Sequence, residues 1–135
     1  PEDVRMAVAH PAVMLCSDGL MEAHEGHPRA AGTFPRLIRH FVIEKHILTP
    51  EQAVRKMTAL PAKALRLRSK GTIAVGMDAD LCVFDPAQIQ ENGDYQHPCR
   101  MASGLDAVLV AGESAVIHDT YTGAQAGTVI RRDTL

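Results

Sequence analysis

Ala12-Val13-Met14-Leu15-Cys16-Ser17-Asp18-Gly19 is the stretch that decides how this 135-residue chain is expected to fold. Five apolar residues follow one another without alternation and end at a polar, turn-forming tripeptide. An uninterrupted apolar strand needs both of its faces covered, as parallel strands are in α/β proteins. In such sheets, polar residues at the carboxyl ends of strands face the ligand crevice. The stretch therefore predicts a buried parallel strand that delivers Asp18 to a crevice.

Asp18 has two interpretations, and the tripeptide leaves both open. A carboxylate at a strand end can act as a general base on a water molecule and then return the proton to a leaving group. Asp18-Gly19 can equally form an ordinary turn, in which the Asp side chain bonds its own backbone. On the tripeptide alone, the turn is the favoured interpretation.

The long loop at residues 20–33 is a second candidate region, because loops of this length in compact domains are usually functional. The planar guanidinium of Arg29 suits a carboxylate, so Arg29 is a candidate clamp for an anionic substrate. The alternative is an ordinary solvated arginine. His24 and His27 share the loop but lack the spacing of a metal site.

Working outward, helical and strand patterns divide the chain near Lys70-Gly71. Before this seam, apolar spacing and capping residues predict helices at residues 1–9 and from Thr33, Thr49 and Pro61. After it, short β-rich runs predict strands at 81–84, 107–110, 115–118 and 128–131, a hairpin at 111–114 and a polar loop at 85–103. The expected division is an α/β unit at residues 1–70 and a small β unit at 71–135.

Composition argues against several classes of partner. Lys plus Arg total 14 against 16 Asp plus Glu, and a net charge of −2 gives no reason to expect nucleic acid or a membrane surface. No apolar run approaches the roughly 18 residues of a membrane-spanning helix. The three cysteines are odd in number and lack metal-type spacing, which favours a reducing cytoplasm over a disulfide scaffold. The chain opens at Pro1 without a Met, which suggests a piece of something longer.

Motifs in a fixed order along the chain extend this interpretation. Ser17-Asp18-Gly19 is followed by His27-Pro28-Arg29 and Gly32-Thr33-Phe34-Pro35-Arg36, then by residues 49–62 and by Gly71 to Pro86. The set resembles the N-acyl-D-amino-acid deacylases of the amidohydrolase superfamily over essentially the whole chain. The resemblance implies an α/β plus β fold: the last strand–helix unit of a TIM barrel, followed by part of a small C-terminal β-sandwich.

The resemblance also implies a reaction and a role for four residues. Deacylases of this kind use zinc to hydrolyse N-acyl-D-amino acids to a carboxylate and a D-amino acid. Asp18 matches the aspartate that takes a proton from a zinc-bound water and delivers it to the departing amine. Arg29 matches the arginine expected to bind the α-carboxylate of the substrate, and Ser17 and His27 are expected to support the pocket.

This chain departs from the family in its metal ligands. No His-x-His pair occurs in it, so the zinc ligands are expected in an upstream barrel and the isolated chain is expected to be inactive. Two alternatives remain: a non-catalytic binding or oligomerisation domain, and one subunit of a split amidohydrolase. In each case open sheet edges predict self-association or pairing with a missing N-terminal chain.

Overall fold

The computed structural model describes residues 2–22 and 25–131 of the chain. The helical elements are α1, α2, a π-helical segment, α3 and α4, at Glu2–Ala9, Arg29–Arg36, Leu37–Glu44, Pro50–Met57 and Ala59–Leu65. The strands are β1 to β6, at Met21–Glu22, Glu25–Gly26, Leu81–Phe84, Leu105–Val110, Glu113–Ile117 and Thr120–Tyr121. No helix within these two ranges is long and apolar enough to cross a membrane.

The two helix starts predicted from threonines differ in outcome. The Thr49 cap is confirmed, since Thr49 Oγ1 accepts the Gln52 N–H at 3.3 Å and the Gln52 side chain accepts the Thr49 N–H at 2.9 Å. The Thr33 cap is wrong, because α2 begins at Arg29, where Pro28 already holds a helical φ of −51°. Thr33 lies inside α2, and its hydroxyl donates to the Arg29 carbonyl at 2.8 Å.

Strands β3 to β6 form one antiparallel sheet in chain order. The turn between β4 and β5, Ala111-Gly112, has φ values of 50° and 82°, as two-residue hairpin turns require. The predicted hairpin at 111–114 and the predicted strand at 81–84 are confirmed. The predicted strand at 128–131 is wrong, because these residues form no strand and, among residues 25–131, the sheet ends with β6 at Thr120–Tyr121.

The core lies where the π-helical segment meets α3 and the sheet. Its buried members are Leu37, Ile38, Val42, Leu48, Ala53 and Ile89. Phe84 of β3 and Leu105 of β4 pack against this cluster. The helical and sheet halves therefore share apolar contacts, while the domain division at residue 70 stays a prediction.

Residues 12–16 do not form the predicted buried strand. Val13 and Met14 are 40% and 43% exposed, and Cys16 is exposed rather than buried. A strand needs ladder bonds to neighbouring strands, and within the described ranges no strand pairs with this segment. The segment is attached to a helix instead, since the Leu15 N–H donates to the Lys56 carbonyl at 3.1 Å.

Lys56 is a buried cation that holds the same segment. Its side chain is on the core side of α3, at 5% exposure, and its ammonium donates to the carbonyl of His10 and, at 2.8 Å, to that of Val13. Burial lowers the pKa of Lys56. Lys56 therefore anchors residues 10–15, the segment that precedes Asp18, to α3.

A cluster of charges joins the helical half to the sheet at the predicted seam. Lys70 donates to the carboxylates of Asp78, at 2.9 Å, and of Asp80. Asp80 also accepts the N–H of Ala111 at 2.8 Å, so one carboxylate connects Lys70 to the β4–β5 turn. Ser69 donates to Asp78 at 2.8 Å and completes the cluster.

We expect this cluster to make part of the stability depend on pH. The bonds that Lys70 donates lower the pKa of Asp80 and Asp78 below the ordinary 3.8, and they raise the pKa of Lys70 above 10.5. A lowered carboxyl pKa adds stability above 3.8 that is lost as pH falls through the folded value, and the raised lysine pKa adds stability that is lost above 10.5. Asp80→Asn should therefore lower the urea midpoint of unfolding at neutral pH and have progressively less effect below pH 3.8.

The matched control is Asp106→Asn, an exposed aspartate of β4. It should leave the midpoint nearly unchanged throughout the same pH series. An effect of Asp80→Asn that is equal at neutral and acid pH would contradict the electrostatic assignment.

Candidate functional site

Asp18 and Arg29, the predicted base and the predicted carboxylate clamp, are in direct contact. Arg29 Nη2 lies 3.0 Å from Asp18 Oδ2, and Arg29 Nε donates to the backbone carbonyl of Asp18 at 2.9 Å. The Asp18 side chain is 84% exposed and that of Arg29 is 45% exposed. The two groups therefore form a surface ion pair that a ligand can reach.

The backbone at Asp18 explains how the pair forms. Asp18 has a φ of 47°, a left-handed conformation that Asp tolerates better than most residues. A Cβ on Gly19 would lie 2.4 Å from the Cα of Ala30, so only glycine allows the start of α2 to approach this closely. Ser17 accepts the Gly19 N–H at 3.4 Å, a long bond within the same turn. The turn interpretation, in which the Asp18 side chain bonds its own backbone, is therefore not what the structure shows, because this side chain pairs with Arg29 and Ser17 accepts the Gly19 N–H instead.

His27 connects Arg29 to a distant part of the chain. Its Nδ1 accepts the Arg29 backbone N–H at 3.1 Å, at the first residue of α2. Its Nε2 lies 3.2 Å from the hydroxyl of Tyr95, and the two rings meet edge to face with centroids 5.1 Å apart. Nothing in the sequence pattern indicates Tyr95, because 68 positions separate it from His27.

The residues that the structure describes do not form a metal site by themselves. Among residues 2–22 and 25–131, no three His, Cys, Asp or Glu side chains are grouped closely enough to hold a metal ion. The site that this part of the chain builds is therefore a carboxylate, a guanidinium and an imidazole, suited to binding an anion and transferring a proton.

A large apolar groove lies away from these residues. It has a volume of about 730 Å³ and runs between α3, α4 and the sheet. Its lining includes Met57, Leu65, Ile73 and Phe84, but neither Asp18 nor Arg29. The groove and the charged pair are therefore separate features.

Comparison with known proteins identifies the family. A family model described as "Amidohydrolase family" matches residues 3–116. The chain belongs to the amidohydrolase family. This amidohydrolase chain is 38% identical to a D-aminoacylase of Alcaligenes xylosoxydans xylosoxydans over 130 residues, which are 96% of the chain and 27% of that protein. It is also 38% identical to the N-acyl-D-glutamate deacylase of the same organism, over 97% of the chain and 27% of that protein.

A solved structure agrees with the sequence relatives. The amidohydrolase chain superposes on an N-acyl-D-glutamate deacylase from Bordetella bronchiseptica with a TM-score of 0.80 and 36% identity. The match covers 84% of the chain and 24% of the deacylase, which was solved with zinc and a phosphonate mimic of the tetrahedral intermediate. The chain thus spans about a quarter of the length of the relatives it matches.

Proposed function

We propose that this chain is the C-terminal part of a zinc-dependent enzyme that hydrolyses N-acyl-D-amino acids to a carboxylate and a D-amino acid. The observation that supports the proposal most directly is the contact between Asp18 and Arg29. It places a proton acceptor beside a carboxylate-binding cation in a chain 38% identical to two deacylases. In the fold that we propose, residues 1–70 contribute the last unit of a TIM barrel and residues 71–135 part of a β-sandwich. We also propose a cytoplasmic location.

Arg29 binds the α-carboxylate of the substrate in this proposal. Its Nη2 now contacts the Asp18 carboxylate, while its Nε is fixed on the Asp18 carbonyl. A substrate carboxylate replaces the Asp18 carboxylate at Nη2, and the bond from Nε keeps the guanidinium in place. Substrate binding therefore releases the Asp18 carboxylate for proton transfer.

Asp18 then takes part in two successive transfers of the same proton. It accepts the proton of the water that adds to the acyl carbonyl, and it returns that proton to the amide nitrogen as the C–N bond breaks. The acyl group leaves as a carboxylate and the amine is the D-amino acid. The exposure of Asp18 leaves room for both partners of this transfer.

Zinc belongs to the complete enzyme in this proposal. The relative from Bordetella bronchiseptica was solved with zinc, whereas the described residues of this chain offer no group of metal ligands. We therefore place the ligands outside this chain and assign to its own residues only substrate binding and proton transfer.

The test uses the complete gene product. The purified protein is incubated with an N-acetyl-D-amino acid and separately with its L enantiomer, and release of the free amino acid is measured. The proposal expects release from the D enantiomer that stops when a chelator removes the metal. Release from neither enantiomer, or from the L enantiomer alone, refutes it.

Arg29→Lys tests the clamp. Lysine has a single donor nitrogen in place of the separate Nε and Nη2 of arginine, so it cannot reproduce the planar geometry that holds the Asp18 carbonyl and a carboxylate side by side. We therefore expect KM to rise about tenfold with little change in kcat. The exposed Arg68 offers the matched control, since Arg68→Lys makes the same exchange outside the site. An unchanged KM in Arg29→Lys argues against the clamp.

We also propose that this chain does not stay monomeric when produced alone. Large apolar side chains are strongly exposed, among them Ile73 at 91%, Val75 at 107% and Val129 at 84%. Burying such surface is favourable by about 25 cal/mol per Å². We expect size-exclusion chromatography at low concentration to show a species larger than the monomer, and a well-folded monomer contradicts this expectation.

The groove supports two alternatives: the chain is a non-catalytic binding or oligomerisation domain, or it is one subunit of a split amidohydrolase. A mostly apolar groove of about 730 Å³ is the kind of surface that a partner chain covers. Mixing the chain with a separately produced barrel separates the two possibilities. Regained hydrolysis indicates a split enzyme, and binding without hydrolysis indicates a binding domain.

A further inference from the structure

The polar loop at residues 85–103 is docked on the helix that carries Arg29. Arg36 of α2 forms an ion pair with Glu91 of the loop, and Arg39 of the adjoining π-helical segment donates to the Ala87 carbonyl at 3.1 Å. Gly32 is buried beneath Glu91, and a Cβ at this glycine would lie 3.1 Å from the Glu91 carboxylate. The loop is therefore seated against α2 at several points.

Hydrogen bonds within the loop fix the conformation of its tip. Gln90 and Ser103 exchange backbone bonds of 2.9 and 3.0 Å across the base of the loop. The Asn92 side chain donates to the Met101 carbonyl at 2.9 Å. Near the tip, the Asp94 carboxylate accepts the N–H groups of residues 96 and 97 at 2.8 and 2.6 Å. Tyr95 projects from this braced turn.

Burial does not explain where Tyr95 lies. The residue is 80% exposed, so packing contributes little to its position. Among the described residues, Tyr95 contacts His27, through the 3.2 Å hydrogen bond between its hydroxyl and Nε2 and through the edge-to-face ring contact. The hydrogen-bonded loop therefore places the exposed Tyr95 hydroxyl against the imidazole of His27.

The two bonds of His27 fix its tautomer. Nδ1 accepts the Arg29 backbone N–H, so Nδ1 carries no proton. The ring proton is then on Nε2, which donates to the Tyr95 hydroxyl oxygen. The chain of bonds from Tyr95 through His27 ends on the backbone of the residue whose guanidinium contacts Asp18.

We propose that Tyr95 is a positioning residue for the carboxylate clamp: its hydroxyl, bonded to Nε2, holds the His27 ring in the orientation in which Nδ1 fixes the first residue of α2, and it thereby aims Arg29. The inference rests on the proposed function, because the clamp has a role only if the substrate carries a carboxylate. It goes beyond that function, since it assigns to the sheet half of the chain a part in substrate recognition.

Kinetics of Tyr95→Phe in the complete enzyme provide the first test. Phenylalanine keeps the ring contact and removes the hydroxyl, so we expect KM for an N-acyl-D-amino acid to rise about fivefold to tenfold while kcat stays within about twofold. His27→Gln should raise KM similarly, and the double variant should be no worse than the worse single variant, because both break one chain of bonds. For the same substrate with its carboxylate converted to a carboxamide, wild type and Tyr95→Phe should have equal KM.

Tyr121→Phe is the matched control. Tyr121 is also exposed, at 59%, and its hydroxyl donates to the Ala124 carbonyl at 2.9 Å in the sheet half. It should leave KM unchanged for both substrates. A Tyr95→Phe enzyme with wild-type KM, or one that loses the carboxylate and carboxamide substrates equally, overturns the inference.

A second measurement does not depend on hydrolysis. Nitrogen NMR of the histidine-labelled complete protein, with His27 assigned through His27→Gln, reports the tautomer directly. We expect the Nε2–H form in wild type and a changed Nε2 resonance in Tyr95→Phe. A wild-type protein that hydrolyses no substrate refutes the proposed function but leaves the positioning role to be decided by NMR. An unaltered His27 spectrum in Tyr95→Phe refutes the positioning role.

Discussion

Asp18→Asn in the complete amidohydrolase is expected to lower kcat for N-acyl-D-amino acids by roughly 10²–10⁴-fold, the usual contribution of a general base. The amide keeps the size of the side chain and its ability to accept a bond from Arg29, but it cannot take a proton from water. Because Asp18 lies in an exposed turn, the substitution should leave the fold intact. Steady-state kinetics with an N-acetyl-D-amino acid measure the loss.

Two controls make this result specific. Zinc content by elemental analysis should equal that of the wild type, since the proposal assigns Asp18 to proton transfer and places the zinc ligands outside this chain. Asp106→Asn makes the same exchange at an exposed strand position and should retain full activity. Retained activity in Asp18→Asn, or loss of zinc along with activity, removes the assignment of Asp18 as the base.

Lys56→Met is expected to loosen the run of chain that leads to Asp18. Lys56 donates two charge-assisted hydrogen bonds, each worth about 1.5–3 kcal/mol. Burial of the charged ammonium offsets part of this gain, so we expect its removal to destabilise the attachment of the segment by about 2 kcal/mol. Methionine fills the space of the alkyl chain but leaves the carbonyls of His10 and Val13 without their donor. Protection of the Leu15 amide from hydrogen exchange should fall about 30-fold.

Lys63→Met is the matched control, since Lys63 is exposed on the neighbouring helix α4. It makes the same chemical change and should leave exchange at Leu15 within a factor of about two. Equal exchange at Leu15 in wild type and Lys56→Met shows that the buried ammonium does not anchor this segment.

Two local signals in the sequence predicted local structure correctly, although a third, the Thr33 cap, did not. The Thr49 cap depends on residues three positions apart, and the Ala111-Gly112 hairpin on two short strands around one turn. Each signal and its consequence lie within a few residues, so no tertiary information is required.

Features that depend on distant partners were not predictable in the same way. An apolar run predicts a strand only if neighbouring strands are present, and residues 12–16 have none among the described residues. Tyr95 reaches His27 only because the loop at 85–103 docks on α2. Lys56 could have been found, since it lies three positions after the fully buried Ala53, but its charge argued for an exposed position.

The ion pair between Asp18 and Arg29 has a consequence for the selectivity of the site. The Asp18 carboxylate is tethered eleven positions from the guanidinium and so acts as a built-in competitor, with an effective concentration on the order of millimolar or above. A free anion such as acetate must compete with this internal carboxylate for the guanidinium. A ligand that adds contacts beyond its carboxylate has the advantage, so the pair raises the concentration at which a simple anion binds Arg29.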